Sequence, residues 1–131
     1  MELLRCDDKL FKKFGQVYMT TGYPGVVKAW HYHKIHVDNW VVVKGMMKVA
    51  LYDSRRDSST FKEVNEFFLG DYDFQLLQIP VGVYHGFKCI SEEEAMLINI
   101  ATEPYDPDNL DEYRVDPYDN NIPYDWGLKE N

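Results

Sequence analysis

From Phe14 onward the chain is built of short runs rich in Val, Ile, Tyr, Phe and Thr, each cut off by turn residues. The runs are 16–21, 26–33, 39–43, 46–52, 61–69, 75–79, 86–90 and 95–101. Gly22-Tyr23-Pro24-Gly25, Gly45, the stretch 53–59, Gly70-Asp71, 80–82 and 91–94 separate most of them. No window of helical period interrupts the series. Some eight short strands at regular spacing predict an all-β fold, an antiparallel sandwich or barrel. Residues 1–13 are polar with scattered Leu and Phe and predict a short helix or an edge strand. After Thr102 the composition shifts. Residues 103–131 hold nine acids, two bases, four prolines and four tyrosines. Tyr105, Tyr113, Tyr118, Tyr124 and Trp126 are too many rings for a solvated acidic tail. They predict an irregular segment that packs its rings back on the barrel. The expected organisation is one domain over 1–131: an arm (1–13), the β-barrel (14–102) and the irregular segment (103–131).

At 131 residues the chain has room for one core. A 45% hydrophobic share suffices to build it without disulfides. Fourteen basic against 22 acidic residues leave a net charge of −8. Such a surface repels phosphate polymers, which argues against nucleic acid or an anionic membrane as partner. Cys6 and Cys89 are too few for a disulfide framework and read as reduced thiols. Residues 1–13 lack the apolar run of a signal peptide, and no stretch approaches the ~18 apolar residues of a membrane helix. The expected compartment is the cytoplasm.

The chemistry-bearing residues concentrate at two places. His31 and His33 sit two apart in a predicted strand, so period two puts both on one face, together with Val27 and Ala29. Imidazoles inside a barrel need partners, because unpaired buried polar groups are costly. They are either a ligand site or a hydrogen-bonded structural pair. His36 falls out of register and is expected to be exposed. Trp30 and Tyr32 face away from His31 and are expected in sheet packing or a dimer contact.

Gly25, His31, His33, Asp38 and Gly45 are spaced as G-x5-H-x-H-x4-D-x6-G, and Pro80, Gly82 and His85 as P-x-G-x-x-H. These spacings resemble the two motifs of the cupin superfamily, with Asp38 for its usual Glu and Cys89 for its usual Asn. The resemblance implies a single-domain cupin jelly roll. In metal-binding cupins the positions of His31, His33, Asp38 and His85 hold a divalent ion, and this donor set suits Fe, Mn, Ni or Zn.

A longer match runs from Phe14 to about Trp126. The strings GVVKAWHYH, VVVKG, DSRRDSSTF, QIPVGVYHGF, TEPYDP and IPYDW follow in order. They resemble the dTDP-4-dehydrorhamnose 3,5-epimerase family, cupins of carbohydrate biosynthesis that act on nucleotide-linked 4-keto sugars. The resemblance implies an isomerase without a cofactor. A base removes a proton next to the ketone, an acid returns one from the opposite face, and the enolate between them is stabilised. It implies His31 as base, His85 and Tyr105 in the active site, and Gln16 on the substrate. His33 is a second acid–base candidate, since related small sugar ketoisomerases also carry an H-x-H pair.

The departures are specific. Asn99 stands where the family has its acid tyrosine. Asp38 stands near its enolate-stabilising lysine, and Lys28 replaces an arginine. The region that supplies the base-orienting carboxylate and the long N-terminal arm have no counterpart. Lys28, Asp38, Asn99 and Arg114 are the remaining expected substrate contacts, with Lys28, Arg55, Arg56 and Arg114 as cations for a diphosphate. The ranked expectations are an epimerase or isomerase on a nucleotide sugar, a metal-dependent cupin enzyme using His31, His33, Asp38 and His85, and a non-catalytic sugar-binding cupin. A homodimer is expected from the resemblance and from β edges that need covering.

Overall fold

The computed structural model describes residues 1–127. Nine strands and no helix are present among them: β1 (Gln16–Gly22), β2 (Val27–Tyr32), β3 (Asp38–Lys44), β4 (Met46–Asp53), β5 (Val64–Gly70), β6 (Leu76–Ile79), β7 (Val83–Cys89), β8 (Ala95–Ala101) and β9 (Tyr113–Arg114). They form two antiparallel sheets, β1-β8-β3-β6 and β5-β4-β7-β2-β9, packed face to face. This is the antiparallel all-β sandwich that the strand spacing predicts, in the jelly-roll form that the resemblance implies.

The core fills the space between the sheets. Trp40, Val42, Leu97, Ile79 and Ala95 of the four-stranded sheet meet Met47, Val49, Leu69, Phe87 and Cys89 of the other. Alternate residues of each strand point inward, so β8 reads buried at Ala95, Leu97, Asn99 and Ala101.

A second cluster covers the outer face of the five-stranded sheet. Trp30, Ala50 and Trp126 are buried there, with Val27, Ala29, Tyr84, Ile122 and Tyr124 around them. Trp126 lies 5.1 Å from Trp30 between ring centres. The segment after Thr102 is therefore ordered over much of its length and carries Trp126 and Tyr124 back to the barrel, while Tyr105 and Tyr118 stay exposed. Trp30 packs against this segment within the chain.

Four local expectations are corrected. Residues 1–13 form turns, neither helix nor strand. Residues 61–63 belong to a turn, and β7 begins at Val83. The two-residue β9 lies inside the proline-rich segment, beyond the reach of pattern reading. The fourth concerns β2. Its pairing with β7 shifts register between Lys28 and His31. Val27 and Ala29 consequently join the outer cluster, while His31 turns inward opposite His85. Gly86 makes room for this crossing, because a Cβ there would lie 2.3 Å from that of Ala29.

Candidate active site

The starts of β1 and β3, the end of β8 and the residues after β2 converge at one end of the sandwich. Asp38, the first residue of β3, is 1% exposed and lies at the centre of an imidazole cluster. Its Oδ2 is 3.1 Å from His33 Nε2 and 3.3 Å from His85 Nε2. Its Oδ1 is 3.2 Å from His36 Nε2. That last pair is close enough for charge pairing but outside hydrogen-bond geometry, so Oδ1 is a buried oxygen with no hydrogen bond. Burial alone would raise the Asp38 pKa. The three histidines outweigh it and hold the carboxyl far below the usual range.

Asp111 closes the cluster from the C-terminal segment. Its carboxylate accepts the backbone N–H groups of Lys34, Ile35 and His36 and lies 3.2 Å from His36 Nδ1. Its carbonyl oxygen is 2.6 Å from His33 Nδ1. His36 is thus a half-buried member of the network, its ring centre 3.7 Å from that of His33. The expectation of an exposed His36 is corrected. Its partner Asp111 lies far along the chain, with no local signal linking the two.

The ring nitrogens can be assigned from their neighbours. A carbonyl oxygen only accepts, so His33 Nδ1 carries a proton. His33 Nε2 faces the Asp38 carboxylate and carries one too. Burial opposes that charge, but Asp38 and the Asp111 carbonyl prevail and raise the His33 pKa. His85 Nδ1 donates to the Val83 carbonyl at 3.0 Å.

His31 differs from these three. No hydrogen bond or ion pair engages its ring among the described residues. Its centre lies 6.2 Å from that of His85, edge to face. Burial is the largest influence on it, and with the charges of His85, Arg114 and His33 it brings the pKa down to about 4, against a smaller opposing pull from Glu112. His31 is a neutral imidazole with uncommitted nitrogens.

A cavity of about 430 Å³ opens beside the cluster. Gln16, Tyr18, His33, Tyr105, Asp111 and Glu112 are among its walls. Gln16 Oε1 accepts the Tyr105 backbone N–H at 2.9 Å, which ties β1 to the C-terminal segment. The Tyr105 side chain is exposed at the rim. A larger hollow of about 730 Å³ lies at the far end of β3 among Lys44, Asp71, Tyr72 and Glu92 to Glu94. It gathers no imidazole, so the smaller cavity is the functional candidate.

The remaining sequence candidates divide. Asp38 and Asn99 are at most 1% exposed. Lys28 donates to the Thr21 carbonyl and bridges β2 to β1. Arg114 sits in β9 opposite His31, paired with Glu112 at 3.2 Å. Arg55 is clamped on Asp53, whose carboxylate also accepts from Ser58 and Thr60, so it braces a loop. Sequence reasoning missed Tyr18, whose neighbour across the sheet is Asn99.

The donor atoms of His33, Asp38 and His85 lie within 4.8 Å of one another, as do those of His33, His36 and Asp111. The first set fits a divalent ion. Asp38 Oδ1 is orphaned, and the Nδ1–H bonds of His33 and His85 to carbonyls are the outer contacts that orient metal-binding imidazoles. His31 stands outside both sets.

Known proteins share this sequence and architecture. A family model for dTDP-4-dehydrorhamnose 3,5-epimerase matches residues 4–131. The spore coat polysaccharide biosynthesis protein SpsL of Bacillus subtilis is 40% identical over 128 residues, which cover 98% of this chain and 85% of that protein. A crystal structure of a dTDP sugar isomerase from Desulfovibrio desulfuricans superposes with a TM-score of 0.90 at 30% identity, covering 95% of this chain and 79% of that one. NovW of Streptomyces spheroides, described as a 4-keto-6-deoxy sugar epimerase, superposes with a TM-score of 0.77 at 26% identity, covering 88% of this chain and 58% of that one. The chain belongs to the dTDP-4-dehydrorhamnose 3,5-epimerase family, cupin isomerases of nucleotide sugars.

Proposed function

We propose that the protein epimerises or isomerises a nucleotide-linked 4-keto-6-deoxy sugar, with His31 removing the proton next to the ketone. The observation that carries this reading is the contrast among the histidines. His33 hydrogen-bonds through both ring nitrogens and His85 through Nδ1, while His36 lies between the carboxylates of Asp38 and Asp111. His31 has no hydrogen-bond or ion-pair partner among the described residues, and burial lowers its pKa to about 4, so its ring is unprotonated and open to accept a proton. Abstraction moves an electron pair onto the ketone oxygen. His33, held as an imidazolium, puts positive charge on the cavity wall where that oxyanion forms. This charge offsets the loss of the family's lysine at Asp38. Family membership and the names of relatives such as NovW support the substrate class.

The test is solvent exchange. A dTDP-linked 4-keto-6-deoxyhexose incubated in deuterium oxide should gain deuterium next to the ketone. His31→Ala should slow that gain by about 10²–10⁴-fold while circular dichroism stays unchanged. No exchange by the native protein with any of several nucleotide forms would sink the reading.

A second reading has its own observation, the orphaned Asp38 Oδ1 beside His33 and His85. These three would hold a divalent ion, which would supply Lewis-acid polarisation of an oxygen bound nearby. A homodimer and a cytoplasmic location are also proposed. β1 pairs only with β8, and its outward Val17 and Met19 are 55% and 54% exposed, a surface suited to a second copy. Both cysteines are free, in keeping with a reducing compartment. Light scattering at the mass of a single 15.5 kDa chain would refute the dimer.

A further inference from the structure

Epimerisation needs two proton-transfer groups on opposite faces of one carbon. His31 projects from the five-stranded sheet. Asn99, at the position where the resemblance implies an acid tyrosine, has no acidic proton to give. The structure brings a phenol beside this amide. Tyr18 of β1 stands directly across from Asn99 in the β1–β8 pairing. It lines the cavity from the four-stranded sheet, the sheet opposite the one that carries His31.

The hydrogen bonds decide what this phenol does. Asn99 Oδ1 accepts the backbone N–H of Asn39 at 3.2 Å. A backbone N–H can only donate, so this bond sets which way the carboxamide faces. Its nitrogen is left pointing at Tyr18 and donates to the phenolic oxygen at 2.9 Å. Tyr18 is therefore the acceptor in this pair, and its own proton is free to point into the cavity. Burial holds the phenol protonated by raising its pKa, against the smaller pull of Asn99. Glu112 shares the cavity wall with Tyr18 and lies two residues before Arg114, the residue opposite His31 in the β2–β9 pairing.

We propose that Tyr18 is the proton donor of the reaction, positioned by Asn99. The inference rests on the reading of the chain as a keto-sugar epimerase. His31 takes the C–H proton and the electron pair passes to the ketone oxygen. The enolate carbon then takes the Tyr18 proton on the opposite face as the C=O bond re-forms. The phenolate left behind is stabilised by the Asn99 N–H. Solvent carries the proton from His31 back to Tyr18, so nothing is consumed.

The experiment separates the two half-steps. Native protein, Tyr18→Phe and Asn99→Asp are each incubated with a dTDP-linked 4-keto-6-deoxyhexose in deuterium oxide. Deuterium uptake and the appearance of the inverted sugar are followed by NMR. Tyr18→Phe removes one oxygen from a side chain that is 46% exposed, so the fold should persist. It should retain deuterium uptake within about tenfold of native, with deuterium returned to the original face, while inversion falls by about 10²–10⁴-fold. Asn99→Asp keeps the acceptor for Asn39 but presents a second acceptor to Tyr18. The phenol proton turns onto it, and inversion should fall with Tyr18 still present. Inversion by Tyr18→Phe within threefold of native would overturn the proposal. Absence of uptake by the native protein would overturn the function reading itself.

Discussion

His33 Nε2 stands 3.1 Å from Asp38 Oδ2 where the two side chains are 11% and 1% exposed, so the pair is nearly sealed from water. Removing the charge of Asp38 leaves the His33 imidazolium facing an amide that cannot balance it. Asp38→Asn should cost about 3–5 kcal/mol of unfolding free energy, the range for breaking a buried ion pair. Urea denaturation of native and variant protein measures this. A change below about 1 kcal/mol would mean that the carboxylate does not organise the cluster.

The two histidines of the H-x-H pair should titrate in opposite directions in the metal-free protein. His31 has a folded pKa of about 4 against 6.5 unfolded. Its native form binds fewer protons between those values, so its contribution to stability falls as pH drops from about 6.5 to about 4. His33 is raised. Its contribution is fully present below about 6.5 and is lost as pH rises through its folded pKa. Nitrogen-15 NMR of the ring nitrogens should show His31 neutral at pH 6 while His33 is protonated. The reverse order would contradict both the cluster's polarity and the choice of base.

Elemental analysis decides between an imidazolium cluster and a metal centre. The epimerase reading expects far less than one equivalent of Fe, Mn, Ni or Zn in untagged protein, and exchange activity that survives a chelator. One equivalent, lost in Asp38→Asn and His85→Ala but kept in His31→Ala, would establish the three-residue metal site.

The sandwich was legible in the sequence because β-branched and aromatic runs alternate with turn residues. The region of the site was legible because His31, His33, Asp38 and His85 carry a spacing. Three features were not, for physical reasons. A bulge leaves no mark in composition, so Val27 and Ala29 were assigned to the face of His31 although the shift at β2 puts them outside. His36 owes its place to Asp111, 75 residues away. Tyr18 gains its meaning from β1–β8 register, which sets it across from Asn99, 81 residues on. Local pattern reads periodicity along a strand but not what the neighbouring strand will place beside it.

The contact between Gly86 and Ala29 has a consequence for mutational surveys of this chain. His31 reaches the interior only because β2 crosses β7 at a point where no side chain stands in the way. Trp30 and Trp126 hold the far side of that crossing shut. A screen for lost turnover would therefore flag Gly86 and Trp126 beside the histidines, although neither lines the cavity. Their substitution would let the β2 backbone drift and carry the base out of alignment. The sequence drift that this site tolerates is set partly on the outer surface of the sheet.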